Sequence, residues 1–368
     1  MQMNMISILG KLDRMLGMNE SGSGYGSVSL NQSFLENKKW RLRLKLVKEL
    51  RLWVSYNLKN SQKSREYKER KAMQYTTEHL ALGKMIFPLE NEDPLFTKKE
   101  YEDVSMQEQL KIGKYREFQD LVKMKLNIVI KKDVSRELNV TWNEIFRMIK
   151  DKNLDHLRKL QNRLTGGQTC ELGKASVEIT NKMIGLVLRY QCLGAFEDNF
   201  HASIPQEWST DLEDFTECFA SPLNHKLGSY YSMFDDDKEF GSKGSFFGYI
   251  QENNGILPNG KYEMNPPWMN AMYEKLQTIV DSSIKAERII TVILIGPNWK
   301  ETLWIPGTDS VLRNLPDPYW INSYSIHAMV SYIHDINQKT FQQKTLIWVF
   351  SNDAVPDAIC NLLKSTKD

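Results

Sequence analysis

Residues 288–296 read RIITVILIG, an apolar run too continuous for any element with a wet face. A strand exposed on one side alternates polar with apolar, whereas one covered on both sides does not. The run therefore predicts the buried centre of a sheet. Other short β-prone runs surround it after about residue 200: DFTECFA, SFFGYI, GKYEM and KTLIWVF. Between some of them, WMNAMYEKLQTIVDSSIKA and SIHAMVSYIHDIN carry helical spacing. Strands alternating with helices predict an α/β fold, its sheet largely parallel and covered on both sides.

The first half has a different texture. Residues 1–37 include ESGSGYGSVSLNQS, whose glycines and serines predict a flexible segment. Trp40, Leu44, Val47, Leu50 and Val54 then recur at helical spacing, and roughly 62–85 and 98–130 have similar character. Thr141 and Glu144 form a capping box ahead of another amphipathic stretch, LTGGQ closes it, and a last helix runs through NKMIGLVLRYQCLG. The expected organisation is a flexible segment at 1–37, a helical domain at 38–198 and an α/β domain at 199–368.

No apolar run reaches the ~18–20 residues of a membrane span, and no basic-then-apolar leader opens the chain. A soluble, intracellular protein without membrane contact is expected. Cys170, Cys192, Cys218 and Cys360 are far apart, with no CxxC or Cys/His cluster, so neither a zinc site nor a disulfide framework is expected. The net charge of +2 conceals an uneven distribution: Lys38–Lys71 holds thirteen Lys/Arg against three Glu. Trp40, Trp53, Tyr56 and Tyr67 are interleaved there. Basic charge with aromatic faces suits a polyanion carrying stackable bases. A lysine-rich solvated helix with its aromatics in the core fits the same pattern equally well.

Ligands of open α/β sheets bind outside the carboxyl ends of strands. Three strand ends here carry unusual residues: ECFASPLN (Glu217–Asn224), YYSMFDDD running into KEFGSKGSF, and EMNPPW. An acid at the first strand end, with a second about 20 residues later to meet ribose hydroxyls, is the order used by nucleotide pockets. Glu217 and the Asp235–Asp237 run have that spacing.

The third element makes the narrowest chemical demand. An exocyclic adenine amine is a poor nucleophile because its lone pair is delocalised into the ring. An Asn oxygen and a backbone carbonyl that accept its two N–H bonds favour a more tetrahedral nitrogen. Two prolines hold that carbonyl rigidly, and an aromatic neighbour stacks on the base. Asn265, Pro266, Pro267 and Trp268 supply this set in sequence. A proline-led strand-to-helix turn is the plainer reading of the same four residues.

NPPW resembles the [DN]-P-P-[YFW] motif of S-adenosylmethionine-dependent amino-group methyltransferases. ECFASPLN, FGSKG and NPPW, in this order, resemble the phosphorylated-CTD-interacting factor family over roughly residues 190–355. That resemblance implies a Rossmann-like class I methyltransferase domain preceded by a helical domain. It further implies S-adenosylmethionine as donor and N6-methylation of the adenosine beside the 7-methylguanosine cap of mRNA. On that basis Asn265 and Pro266 accept from the amine, held by Pro267, and Trp268 stacks on the base. Glu217, Phe219, Ala220, Ser221, Pro222, Asn224, Asp235, Asp236, Phe240, Gly241 and Ser242 line the donor. Lys38, Lys39, Arg41, Arg43 and Lys243 are candidates for the RNA.

Ser221 and Pro222 depart from the family's glycine-rich loop, and Trp268 replaces its usual Phe. Trp40 and Trp53 are too close to be the tryptophan pair of a WW domain, so no WW-mediated contact with the polymerase tail is expected. The resemblance implies a nuclear location, and a version untethered from the polymerase implies a cytoplasmic one. Two alternatives accompany it: an N6-adenine methyltransferase for internal RNA or DNA sites, and a catalytically silent cap- or RNA-binding relative.

Overall fold

The computed structural model describes residues 25–59, 62–86, 93–97, 102–131, 154–168, 171–172, 174–195, 202–268, 270–297, 322–334 and 339–352. The capping box at Thr141 and the proposed domain boundary after residue 198 lie outside them.

Six helices come first among the described residues: α1 (Tyr25–Asn57), α2 (Arg65–Ile86), α3 (Val104–Gln109), α4 (Lys114–Lys131), α5 (Leu154–Leu164) and α6 (Val177–Cys192). Trp40, Val47, Leu50 and Val54 are all buried on one side of α1, as their spacing demands. The flexible segment expected through residue 37 is corrected from Tyr25 onward, where α1 already begins. From Tyr25 to Asn37 there is one glycine and no proline, so nothing stops the helix from propagating backward. Asn37 is itself buried and donates to the Asn181 carbonyl of α6 at 3.0 Å.

The sheet follows. Its strands are β1 (Ala202–Ser203), β2 (Thr216–Glu217), β3 (Ser229–Tyr230), β4 (Gly260–Met264), β5 (Ile290–Pro297), β6 (Asn322–His334) and β7 (Lys339–Ser351). They lie in the order β1-β6-β7-β5-β4-β2-β3. β3, β2, β4 and β5 are mutually parallel, β7 runs against β5, and β6 runs against β7. β6 therefore shares the direction of the parallel set, and the architecture is mixed α/β with a parallel-dominated sheet.

From Ile290 to Ile295 the run RIITVILIG is buried on both faces, as its composition requires, while Arg288 and Ile289 ahead of it are exposed. Val292 and Leu294 join one core with Met272, Tyr273, Leu276 and Ile279 of α9 (Asn270–Lys285). Ile293 and Ile295 join another with Trp208, Leu212 and Phe215, Trp208 opening the one-turn α7 (Trp208–Asp211).

Two local expectations are corrected. SFFGYI forms a helix, α8 (Phe246–Glu252), with the Ser245 hydroxyl accepting from the Gly248 amide at its start. Phe246, Phe247 and Ile250 are buried together, a helical and not an alternating set. SIHAMVSYIHDIN is strand β6 through His334. Ile326, Ala328, Val330 and Tyr332 alternate while Ile326, Met329, Val330 and Ile333 satisfy a helical period, and thirteen paired positions with β7 decide the outcome.

The cores of the two halves are continuous. Leu223, Met233, Phe234 and Phe240, from segments that follow β2 and β3, pack into the core of the helices. Trp40 of α1 meets Phe234 edge-on at 5.3 Å between centroids.

Candidate functional site

β2 lies between β3 on one side and β4 on the other, while the chain visits them in the order β2, β3, β4. Connections leaving the carboxyl end of β2 and returning for β4 therefore depart to opposite sides and open a crevice there. ECFASPLN leaves β2 at this rim and NPPW leaves β4 beside it, since Glu217 and Glu263 are register partners. The FGSKG segment returns to the same end. Lys243 donates its amide to the Tyr230 carbonyl, Ser232 donates to the Gly244 carbonyl, and Ser232 and Ser245 form a parallel bridge. All three sequence-predicted motifs thus meet at one rim.

The first loop is braced from within. Glu217 is 5% exposed, and its Oε2 accepts from the amides of Lys226 at 2.9 Å and Leu227 at 3.1 Å. Amide bonds to a carboxylate contribute about 1.5–3 kcal/mol each. The Asn224 Oδ1 accepts both the amide and the hydroxyl of Ser221, at 2.8 and 2.9 Å. The Ser221 hydroxyl oxygen in turn accepts the Leu223 amide. These bonds build the turn without glycine, which accounts for Ser221. Ser221 and Asn224 are thereby shapers of the loop. Phe219 packs against Phe246 and Phe247, and the Ala220 amide donates to the Tyr231 carbonyl.

The three aspartates separate cleanly. Asp237 is fully buried and accepts from Arg189 Nη2 at 2.8 Å and from the Tyr190 hydroxyl at 2.6 Å, both on α6. Burial raises its carboxyl above the ordinary 3.8, against the pull of Arg189 and those bonds. It is a tie to α6 and is not open to a ribose. Asp235 pairs with Lys238, and Asp236, 66% exposed at its side chain, stands 3.4 Å from Arg189 Nη1. Phe240 is a core residue whose carbonyl accepts from Arg163 Nη1 and the Tyr230 hydroxyl. Gly241 has φ +93°, a conformation that side-chain-bearing residues rarely adopt, so the FGS turn needs glycine there. The Ser242 hydroxyl sits 2.7 Å from that of Ser232.

At the tip of β4, Pro266 is buried while Asn265, Pro267 and Trp268 are half-buried. Trp268 meets Tyr332 of β6 edge-on at 5.9 Å and 78°. Tyr332 is fixed in turn by its hydroxyl, 3.0 Å from Thr345 Oγ1. The indole plane is therefore set by the far side of the sheet. Two residues before Asn265 stands Glu263, 1% exposed, with no hydrogen-bond partner for either carboxyl oxygen among the described residues. Burial first, and the neighbouring Glu217 carboxylate second, push its carboxyl well above 4.5. Sequence reading passed over it, although an acid inside the strand-like run GKYEM was the available signal. Arg163, Arg189 and Tyr190 were passed over too, since nothing in their local pattern points to the rim.

The basic stretch divides by burial. Arg43 is corrected as an RNA candidate: it is 3% exposed, bidentate to Asp93 and lies over the Trp40 ring. Arg51 is also buried and donates to the Cys192 carbonyl. Lys38 lies over Phe34, Lys39 pairs with Glu36, Arg41 is half-buried, and Lys243 is exposed over Tyr231. Lys45, Lys48, Lys59 and Tyr56 are exposed, Tyr56 at 75%. No helix of the described residues is long and apolar enough to cross a membrane.

The fold and rim define a mixed α/β protein with its three motifs gathered at the switch point of a parallel-dominated sheet. The family model described as phosphorylated CTD interacting factor 1 WW domain matches residues 156–312. Two relatives named mRNA (2'-O-methyladenosine-N(6)-)-methyltransferase match over 102 residues, the mouse protein at 37% identity and the human at 36%. Each match covers 26% of this chain and 13% of the relative. Over these residues the chain is similar to the phosphorylated CTD interacting factor family. The family description names a WW domain, so the expectation of no WW-mediated contact finds no support in this match.

Proposed function

We propose that this chain transfers a methyl group from S-adenosylmethionine to N6 of the adenosine beside the 7-methylguanosine cap of mRNA. In this reading residues 199–368 are a Rossmann-like class I methyltransferase domain, and the helices of 38–198 precede it as the RNA-facing part. The observation that carries it is the placement of NPPW on β4 directly beside the ECFASPLN loop of β2, at the switch point. The names of the mouse and human relatives give the substrate class.

The residues present fit a cationic nucleoside donor: two acids lie side by side at the rim, one of them without a hydrogen-bond partner among the described residues. Glu217 and the Ser221–Asn224 brace hold the loop, and Phe219 and Ala220 form its wall. Asp235 and Asp236 are the carboxylates left to meet a ribose, because Asp237 is committed to α6. When bound, the donor supplies a methyl group on a cationic sulfur.

Asn265 Oδ1 and the Pro266 carbonyl accept the two amine hydrogens and turn the nitrogen lone pair toward that methyl carbon. Both prolines keep the carbonyl fixed before the base arrives, so no reorganisation is needed at the moment of transfer. Trp268, its plane set by Tyr332, stacks on the adenine for about 1–3 kcal/mol. The exposed face with Lys45, Lys48, Tyr56 and Lys59 joins Lys38, Lys39, Arg41 and Lys243 as the RNA track.

Methyl incorporation into a short RNA that begins with capped adenosine tests the reading. Asn265→Ala should abolish it while leaving donor binding intact. Wild-type protein that binds the donor and methylates no adenosine would refute it.

A further inference from the structure

Glu263 presents a problem that the fold alone does not solve. It is 1% exposed in the interior of the sheet, and neither of its oxygens has a hydrogen-bond partner among the described residues. A carboxyl left unpaired in such a place costs stability and persists where something outside the fold completes it. Its register neighbours are Glu217 on β2 and Ile293 on β5, so one flank is acidic and the other apolar. Glu217 already commits Oε2 to the amides of Lys226 and Leu227. Tyr332, whose hydroxyl is engaged with Thr345, is a further titratable group close enough to sense Glu263, and the Cys218 thiol is another. None of these supplies positive charge.

The position narrows the occupant. Glu263 is two residues from Asn265, the spacing that places side chains on one side of an extended chain, and it is opposite the acid that anchors the ECFASPLN loop. It stands between the donor loop and the amine acceptors. Adenine is neutral and is served by Asn265 and Pro266. Of the two ligands, the donor brings a cationic N–H group, its α-ammonium.

We propose that Glu263 is the carboxylate that receives the α-ammonium of the bound methyl donor, which makes it a binding residue of the site. The proposal rests on the methyltransferase reading. An ammonium there supplies the hydrogen bonds and the counter-charge that the strand interior lacks. Glu217 meanwhile keeps its loop, so the two acids divide the work of the rim.

The test is a ligand–protein cycle read by titration calorimetry on the full chain. S-adenosylhomocysteine and its deaminated analogue, in which hydrogen replaces the α-ammonium, are titrated into wild type and Glu263→Gln. Wild type should prefer the aminated compound by about ten- to a hundredfold, the size of a charge-assisted bond. Glu263→Gln should lose that preference while still binding the analogue. Equal affinity of wild type for both compounds would overturn the proposal without recourse to any variant. An undiminished preference in Glu263→Gln would overturn it too, and in both cases donor binding and the methyltransferase reading survive. Wild type that binds neither compound would remove the reading and the proposal together.

Discussion

Arg189 and Asp237 face each other across the join between α6 and the turn after β3, at 2.8 Å and almost wholly out of solvent. With Tyr190 donating to the other Asp237 oxygen, the pair holds the FGS turn at the rim from the helical side. Removing one partner strands a buried charge, which typically costs about 3–5 kcal/mol. Arg189→Met should lower unfolding stability by that amount in a denaturant titration. Asp235→Ala, at an exposed position, should change it by less than about 0.5 kcal/mol.

Arg43 belongs to the core of the basic stretch, whereas the proposed RNA track lies on its exposed lysines. Arg43→Ala should destabilise the fold by about 3–5 kcal/mol, because Asp93 is left buried without its counter-ion. The double variant Lys45→Ala, Lys48→Ala should leave the melting temperature unchanged. It should also flatten the dependence of log affinity for single-stranded RNA on log salt by about 1.4, at ~0.7 for each phosphate no longer neutralised. Binding titrations at several salt concentrations check the slope.

Glu263 also makes a prediction about acid dependence. Its native carboxyl titrates well above the 4.5 of an unfolded chain, owing to burial and then to Glu217. Between those two values the native state holds more protons than the unfolded one, so stability falls as pH rises through that window. Glu263→Gln removes the titrating group. The ligand-free variant should be more stable than wild type at pH 7. The difference should shrink toward zero as pH falls to about 4.5. Thermal melts across pH measure it.

The Ser221–Asn224 brace offers a loop-specific prediction. Asn224→Ala leaves the buried Ser221 amide without its acceptor, a loss of about 1–3 kcal/mol. Donor affinity should fall with it, because the loop no longer holds its shape. Calorimetric titration of S-adenosylhomocysteine into the variant checks this.

The sheet's centre and the meeting of three motifs at one rim were legible because they depend on local pattern. RIITVILIG could only be a doubly covered strand, and NPPW could only leave a strand end. β6 was not legible, since its apolar residues satisfy both periods and long-range pairing with β7 chose between them. Arg43 was misread for a related reason: its charge is visible in sequence, while Asp93, fifty positions away, is not visible as its partner. Asp237 could not be told from Asp235 and Asp236, since only the arrival of α6 distinguishes them. Glu263 was visible as an acid in a buried strand, but its lack of a partner is a property of the packed fold.

The central claim is that Asn265 and its prolines activate a capped adenosine. Methyl transfer from labelled S-adenosylmethionine should be measured on three short RNAs: capped with adenosine first, the same RNA uncapped, and capped with guanosine first. The account predicts product on the capped adenosine RNA alone, and none from Asn265→Ala although the variant binds donor as wild type does. Undiminished transfer by Asn265→Ala would contradict it, and equal transfer to uncapped RNA would remove the cap from the substrate.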